Sequence, residues 1–201
     1  TVVRACRRMG IEALTLYAFS TQNWQRPEDE VQALMSLLLD YAVSEREEIL
    51  DNNIRFNCVG ALWDLPEPVL RALRCLEAAS AHNDGMILSL ALSYGGREDI
   101  LQATRRLVAR AAEGRLRPED VDTDSFEEAL WTHGIPADVD LVIRTSGERR
   151  ISNFLLWQIA YSELIFTEVS WPEFSEQHLE AALHEFAQRD RRFGGLGPQR
   201  P

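Results

Sequence analysis

The sequence contains no lysine. All 21 of its basic residues are arginines, against 32 acidic residues, for a formal net charge of −11. A chain without lysine has no Walker A lysine, no kinase strand lysine and no Schiff-base lysine. Cysteine is scarce as well: Cys6, Cys58 and Cys75 are far apart and odd in number. This favours reduced thiols in a core over a disulfide framework or a zinc site. The four histidines, His82, His133, His178 and His184, lack metalloprotease spacing, and no serine sits in a nucleophile-elbow pattern. No run approaches the roughly eighteen apolar residues of a membrane span, and the opening TVVRACRRMG lacks the apolar core of a signal peptide. The expectation is a cytoplasmic protein that meets a membrane at most with its surface. So acidic a chain is a poor general binder of nucleic acid, so an anionic ligand has to be met by a local arginine cluster.

A length of 201 residues with 45% hydrophobic content suits a single domain with a buried core. The segment from Glu12 to Phe19 mixes β-branched, aromatic and aliphatic residues at strand length and runs into the polar loop STQNWQRP. Pro27 and the acids Glu28, Asp29 and Glu30 suit a helix start, and apolar residues recur at helical spacing from Val31 to about Leu50. Strands are then expected over Ile54 to Gly60, Met86 to Ser93, Val139 to Arg144 and Leu164 to Thr167. Helices are expected over Pro66 to Ala81, Arg97 to Glu113, Ser125 to Trp131, Ser152 to Tyr161 and His178 to Arg191. This alternation implies an α/β fold, a mostly parallel central sheet flanked by helices, with ligands beyond the carboxyl ends of the strands.

Two polar loops lie at such ends. After the fourth strand come Arg144, Arg149 and Arg150, then Ser152 and Asn153 where a helix is expected to begin. Guanidinium forks and a helix start both favour phosphate oxygens. A solvated turn whose arginines balance Glu148 explains the same residue types equally well. The loop Ser20 to Arg26 offers hydroxyls, an amide, an indole and a guanidinium. It reads as readily as a turn in which Asn23 satisfies backbone groups, Trp24 packs on the core edge and Arg26 pairs with Glu30. Glu163 stands at a strand start, as a metal ligand or an ordinary strand-end acid.

Taken in order, STQNWQRP, SYGGRED, LVIRTSGERRISNFLLWQIAYSELIF and RDRRFGG closely resemble the motifs of the cis-prenyltransferases, in particular the bacterial enzymes that make undecaprenyl diphosphate. The match spans nearly the whole chain, and the aspartate-rich DDxxD pattern of trans-type prenyltransferases is absent. The resemblance implies condensation of isopentenyl diphosphate onto an allylic diphosphate such as farnesyl diphosphate, with magnesium assisting and the product growing into an apolar tunnel beside the helix from Val31, its depth set by residues such as Ile87 or Leu88. By motif, Arg144, Arg150 and Ser152 would hold isopentenyl diphosphate, Ile151 would supply backbone contact, and Glu163 would help to bind Mg2+. Asn23 would assist proton removal, with Ser20, Trp24, Arg26 and Glu30 shaping the loop over the site. The last motif implies a homodimer in which Arg192 reaches the partner subunit's site; a basic helix end is the plainer alternative. Contact with a membrane would come through the lipid product, and nucleic acid has no place.

One motif of the family, Asp-Gly-Asn-Gly-Arg-Trp, is not in the sequence; in the family it cradles the allylic diphosphate and supplies the principal magnesium ligand. The expectation is a single domain, N-terminally incomplete, with roughly forty residues of strand, loop and helix upstream of Thr1. A non-catalytic subunit or fragment that keeps the isopentenyl diphosphate site is the alternative.

Overall fold

The computed structural model describes residues 2–136 and 138–189. They form two compact units, residues 3–136 and residues 138–189, with Val2 grouped with the latter.

In the first unit, α1 (Val2–Arg8) leads into β1 (Ala13–Ser20), a 3-10 turn (Thr21–Gln25) and α2 (Glu28–Ser44). Pro27 sits at the N-cap of α2, and the three acids that follow fill its first turn, where the helix dipole favours them. The expected long helix divides at Glu45 into α2 and α3 (Arg46–Asp51). Then come β2 (Ile54–Val59), α4 (Glu67–Ser80), β3 (Met86–Tyr94), α5 (Gly96–Ala112) and α6 (Thr123–Ala129).

The strands form a parallel sheet in the order β1-β3-β2. β3 lies in the middle and is buried almost throughout, which explains why MILSLALSY is a continuous apolar run rather than an alternating one. The edge strand β2 is covered by α4. Phe56 N–H donates to Ser80 Oγ at 3.0 Å and Cys58 N–H to Glu77 Oε1 at 2.7 Å, so the outward amides of an otherwise open edge are satisfied by helix side chains. Leu73 and Leu76 of α4 are each 1% exposed.

Cys6 and Cys58 are buried, and burial pushes the Cys6 thiol up to about 11 and Cys58 well above its usual value. Cys75 is a correction to the expected core cysteines: it is exposed, since Leu73 and Leu76 take the inward positions of α4.

In the second unit, β4 (Leu141–Arg144) and β5 (Glu163–Phe166) pair in parallel, and α7 (Glu176–Ala187) packs on β5. All strand pairs observed are thus parallel. The expected helix from Ser152 to Tyr161 is instead a succession of turns. Ser152, Asn153 and Leu155 have φ of 54°, 62° and 42°, left-handed backbone that cannot enter a right-handed helix. The segment is held by Val139 N–H on Gln158 O at 3.2 Å and by Ile159 N–H on Leu155 O at 3.0 Å, and Leu155 and Ile159 are buried.

Candidate functional site

In the first unit, the loop residues Ser20, Asn23, Trp24, Arg26 and Glu30 gather at the carboxyl end of β1. Asn23 Oδ1 accepts from Ser20 N–H at 2.9 Å, an anchor that leaves the amide nitrogen as the donating end. An amide has no basic atom, so any part Asn23 takes in proton transfer is limited to orienting other groups. Trp24 packs edge-on against Phe19, with ring centroids 4.9 Å apart, and its Nε1 donates to Ser93 Oγ at 2.9 Å. Arg26 Nη1 meets Glu30 Oε1 at 2.7 Å, with both side chains about half exposed, a pair worth little by itself. The turn-forming contacts anticipated for this loop are thus all present.

In the second unit, the arginine segment emerges from β4. Arg144 is half-buried and ends the strand, while Arg149, Arg150, Ile151 and Ser152 are exposed. The turn between them is pinned to the far end of β5: Ser146 N–H donates to Val169 O at 2.8 Å and Gly147 N–H to Thr167 O at 2.9 Å. Gly147 has φ of 68°, and a Cβ there would lie 2.4 Å from Glu168 Oε2. With Ser146, Ser152, Asn153 and Leu155 also left-handed, this is a stretch of costly backbone of the kind that persists at ligand sites. The helix N-terminus expected at Ser152 is absent, so an anion here relies on side chains and turn amides. Arg150 pairs with Glu148, and Arg149 Nη2 lies 3.9 Å from Glu168 Oε1 with both side chains more than three-quarters exposed. Such exposed pairs contribute little. Arg144 has no ion-pair partner among the described residues.

Glu163 opens β5, and its Oε2 accepts from Arg189 Nη1 at 2.7 Å. This carboxylate in turn raises the pKa of the Arg189 guanidinium. Among the described residues no group of three His, Cys, Asp or Glu side chains is placed to hold a metal. Mg2+ takes one or two carboxylates and fills its shell with phosphate oxygens and water; Glu163 offers one carboxylate of that kind. Arg192 lies outside the described residues. Sequence reasoning passed over Ser93 and Arg189 as site residues, although both stand inside quoted motifs, SYGGRED and RDRRFGG. No helix among the described residues is long and apolar enough to cross a membrane.

Residues 1–194 match the model of the prenyltransferase family described as undecaprenyl diphosphate synthase. The chain belongs to this prenyltransferase family. Within the family it is 48% identical to an isoprenyl transferase of Geobacter sulfurreducens over 198 residues, covering 98% of this chain and 80% of that protein. It is 50% identical over 189 residues to a ditrans,polycis-undecaprenyl-diphosphate synthase, (2E,6E)-farnesyl-diphosphate specific, of Salmonella paratyphi A, covering 94% of this chain and 75% of that one. Among solved structures it resembles lavandulyl diphosphate synthase from Lavandula x intermedia in complex with dimethylallyl diphosphate, with a TM-score of 0.93 and 39% identity over 96% of this chain and 83% of that chain. The prenyltransferase is therefore an enzyme of the α/β type expected, with parallel strands flanked by helices.

Proposed function

We propose that this prenyltransferase condenses isopentenyl diphosphate onto an allylic diphosphate, with farnesyl diphosphate as the primer, and builds a polyprenyl diphosphate of undecaprenyl length, the precursor of the cell-wall lipid carrier. The observation that carries the proposal is the arginine turn after β4: in a chain of net charge −11, Arg144, Arg149 and Arg150 are gathered in a segment bent by left-handed backbone at Ser146, Gly147 and Ser152, with at most weak, exposed partners.

In this reading Arg144 and Arg150 fork onto the diphosphate of isopentenyl diphosphate, Ser152 adds a hydroxyl and Ile151 a backbone contact. In the reaction a carbon–carbon bond forms between the terminal alkene carbon of isopentenyl diphosphate and C1 of the allylic substrate. The C1–oxygen bond breaks, diphosphate leaves with the electron pair, and a proton passes from the isopentenyl unit to a diphosphate oxygen. The arginines hold the alkene donor in one orientation, which lowers the entropic part of the barrier. Asn23, anchored through Oδ1, turns its amide N–H toward the group that takes the proton, and Ser20, Trp24, Arg26 and Glu30 shape the loop around it. Mg2+ held by Glu163 and diphosphate oxygens would neutralise charge growing on the leaving group.

The product extends along α2, where Val31, Leu34 and Leu38 are only half-buried, consistent with an apolar face that receives a lipid chain. The protein works as a cytoplasmic homodimer that touches the membrane through its product, with Arg192 reaching the partner subunit's site. Exposed Trp157, Tyr161, Phe166 and Trp171 in the second unit support association of two copies. The test is incubation of the full-length protein with farnesyl diphosphate, labelled isopentenyl diphosphate and Mg2+, followed by sizing of the dephosphorylated product. A polyprenol of undecaprenyl length is expected. No elongation overturns the reading; a short product overturns the length alone.

A further inference from the structure

Ser93 sits at a break in the pairing of β1 with β3. Tyr17 lies opposite Ala91, Phe19 opposite Leu92, and Ser20 opposite Tyr94. Ala18 on β1 and Ser93 on β3 are therefore each passed over, and the second shift restores the register lost in the first. Ser93 takes φ of 45° and is fully buried, a conformation that costs a serine free energy and that serine does not need merely to continue a strand. Irregularities of this kind re-aim a side chain, and they recur beside active sites.

The re-aimed hydroxyl has two partners. It accepts from Trp24 Nε1 at 2.9 Å and donates to Asp64 Oδ2 at 3.0 Å. Asp64 ends the 3-10 turn Leu62–Asp64 after β2, and Ala61 N–H of the same connection donates to Ser93 O at 3.2 Å. Gly60 permits the approach: its φ is 126°, and a Cβ there would stand 2.0 Å from Leu92 O. A charged acceptor on one side fixes the hydroxyl proton toward Asp64 and leaves an oxygen lone pair for the indole. Trp24 is the chain neighbour of Asn23 on the turn Thr21–Gln25, and the far anchor of Asn23 is Ser20 N–H, in the residue opposite Tyr94.

We propose that Asp64 and Ser93 are positioning residues for Asn23: the relay from Asp64 through Ser93 to Trp24 sets the angle at which the turn presents the Asn23 amide to substrate. This rests on the role given to Asn23 above. Neither Asp64 nor Ser93 touches substrate; both act through Trp24.

The test uses the full-length protein with farnesyl and isopentenyl diphosphates. Asp64→Ala, a change at an exposed position that leaves the fold intact, and Ser93→Ala each lower kcat on the order of tenfold, as a small misplacement of a catalytic group does, while KM for isopentenyl diphosphate stays within about twofold. The double variant loses no more than either single one, since one relay is broken in each. Asp64→Asn, which keeps an oxygen acceptor, restores most of the rate lost in Asp64→Ala. The indole N–H resonance of Trp24, assigned by its loss in Trp24→Phe, shifts in both alanine variants and not in Asp64→Asn. Additive losses, or full turnover in both alanine variants while Asn23→Ala is inactive, overturn the relay. If Asn23→Ala also turns over normally, the role of Asn23 falls first and the relay falls with it.

Discussion

The carboxylate of Glu163 is bound by Arg189: Nη1 donates to Oε2 at 2.7 Å and also reaches Leu164 O at 3.1 Å. The side chains are 27% and 31% exposed, so this pair is shielded more than the ion pairs of the arginine turn. If Glu163 holds Mg2+ as proposed, Arg189 and the ion would compete for the same oxygens. Glu163→Gln should raise the Mg2+ concentration needed for half-maximal activity by roughly tenfold, and Arg189→Ala should lower it. A titration of activity with Mg2+ after chelation checks both, and equal shifts in one direction would refute the competition.

Arg144→Lys and Arg150→Lys keep the charge and lose the fork. Each should raise KM for isopentenyl diphosphate by about ten- to a hundredfold, equivalent to roughly 1.4–2.8 kcal/mol, and leave KM for farnesyl diphosphate nearly unchanged. Arg149→Ala, whose partner lies 3.9 Å away on an exposed side chain, should change either constant by less than about threefold. Steady-state kinetics with each substrate varied in turn distinguishes these outcomes.

Asn23→Ala removes the amide that is anchored on Ser20 N–H. The rate should fall on the order of a hundredfold or more, as for loss of a group assisting proton transfer, with both KM values little altered. Single-turnover measurements separate this from slow product release; an unchanged rate of the chemical step would remove Asn23 from the mechanism.

Leu88 is 0% exposed in the central strand β3. Leu88→Ala should therefore cost about 2–5 kcal/mol of stability, measured by denaturant unfolding. It should also shift the product distribution toward longer chains if this residue limits the tunnel. Ile87→Ala, at a half-buried position, is the milder comparison. A product distribution unchanged in both variants would place the limit elsewhere.

Asp99 is 1% exposed, and its oxygens accept from Trp131 N–H at 2.6 Å, Tyr94 Oη at 3.1 Å and Thr132 Oγ1 at 3.3 Å. Burial raises its pKa despite these bonds, and burial raises that of Glu77 likewise. The folded state thus holds these protons more tightly than the unfolded chain. Their stabilising contribution is complete below the ordinary carboxylate pKa and is lost as pH rises through the raised values. Melting temperature followed upward from about pH 4, the ordinary carboxylate range, should show this decline. Asp99→Asn should flatten it and, by losing acceptor capacity, destabilise the fold at neutral pH by about 1–3 kcal/mol. An unchanged slope in Asp99→Asn would assign the dependence to other groups.

Periodicity in the sequence located β1, β3, the start of α2 and most of α5 to within a few residues, because apolar spacing and helix-start chemistry are local properties. It failed from Ser152 to Tyr161. There the apolar residues of SNFLLWQIAY read as a helix, yet Ser152, Asn153 and Leu155 are left-handed, and the turns are closed by bonds such as that from Val139 N–H to Gln158 O. Residue types likewise showed that Arg26 could meet Glu30 and that Asn23 could close a turn. They did not show that Trp24 would meet Ser93, 69 residues away.

The amino-acid sequence by itself determined the chemistry available to this protein: no lysine, an arginine cluster in an acidic chain, and motifs that place it among prenyltransferases. Only the tertiary structure decided which groups are engaged with one another. Glu163 is tied to Arg189, and Ser93 is turned out of its strand toward Trp24 and Asp64. Both choices depend on strand register and on contacts between segments remote along the chain, where a one-residue shift redirects a side chain.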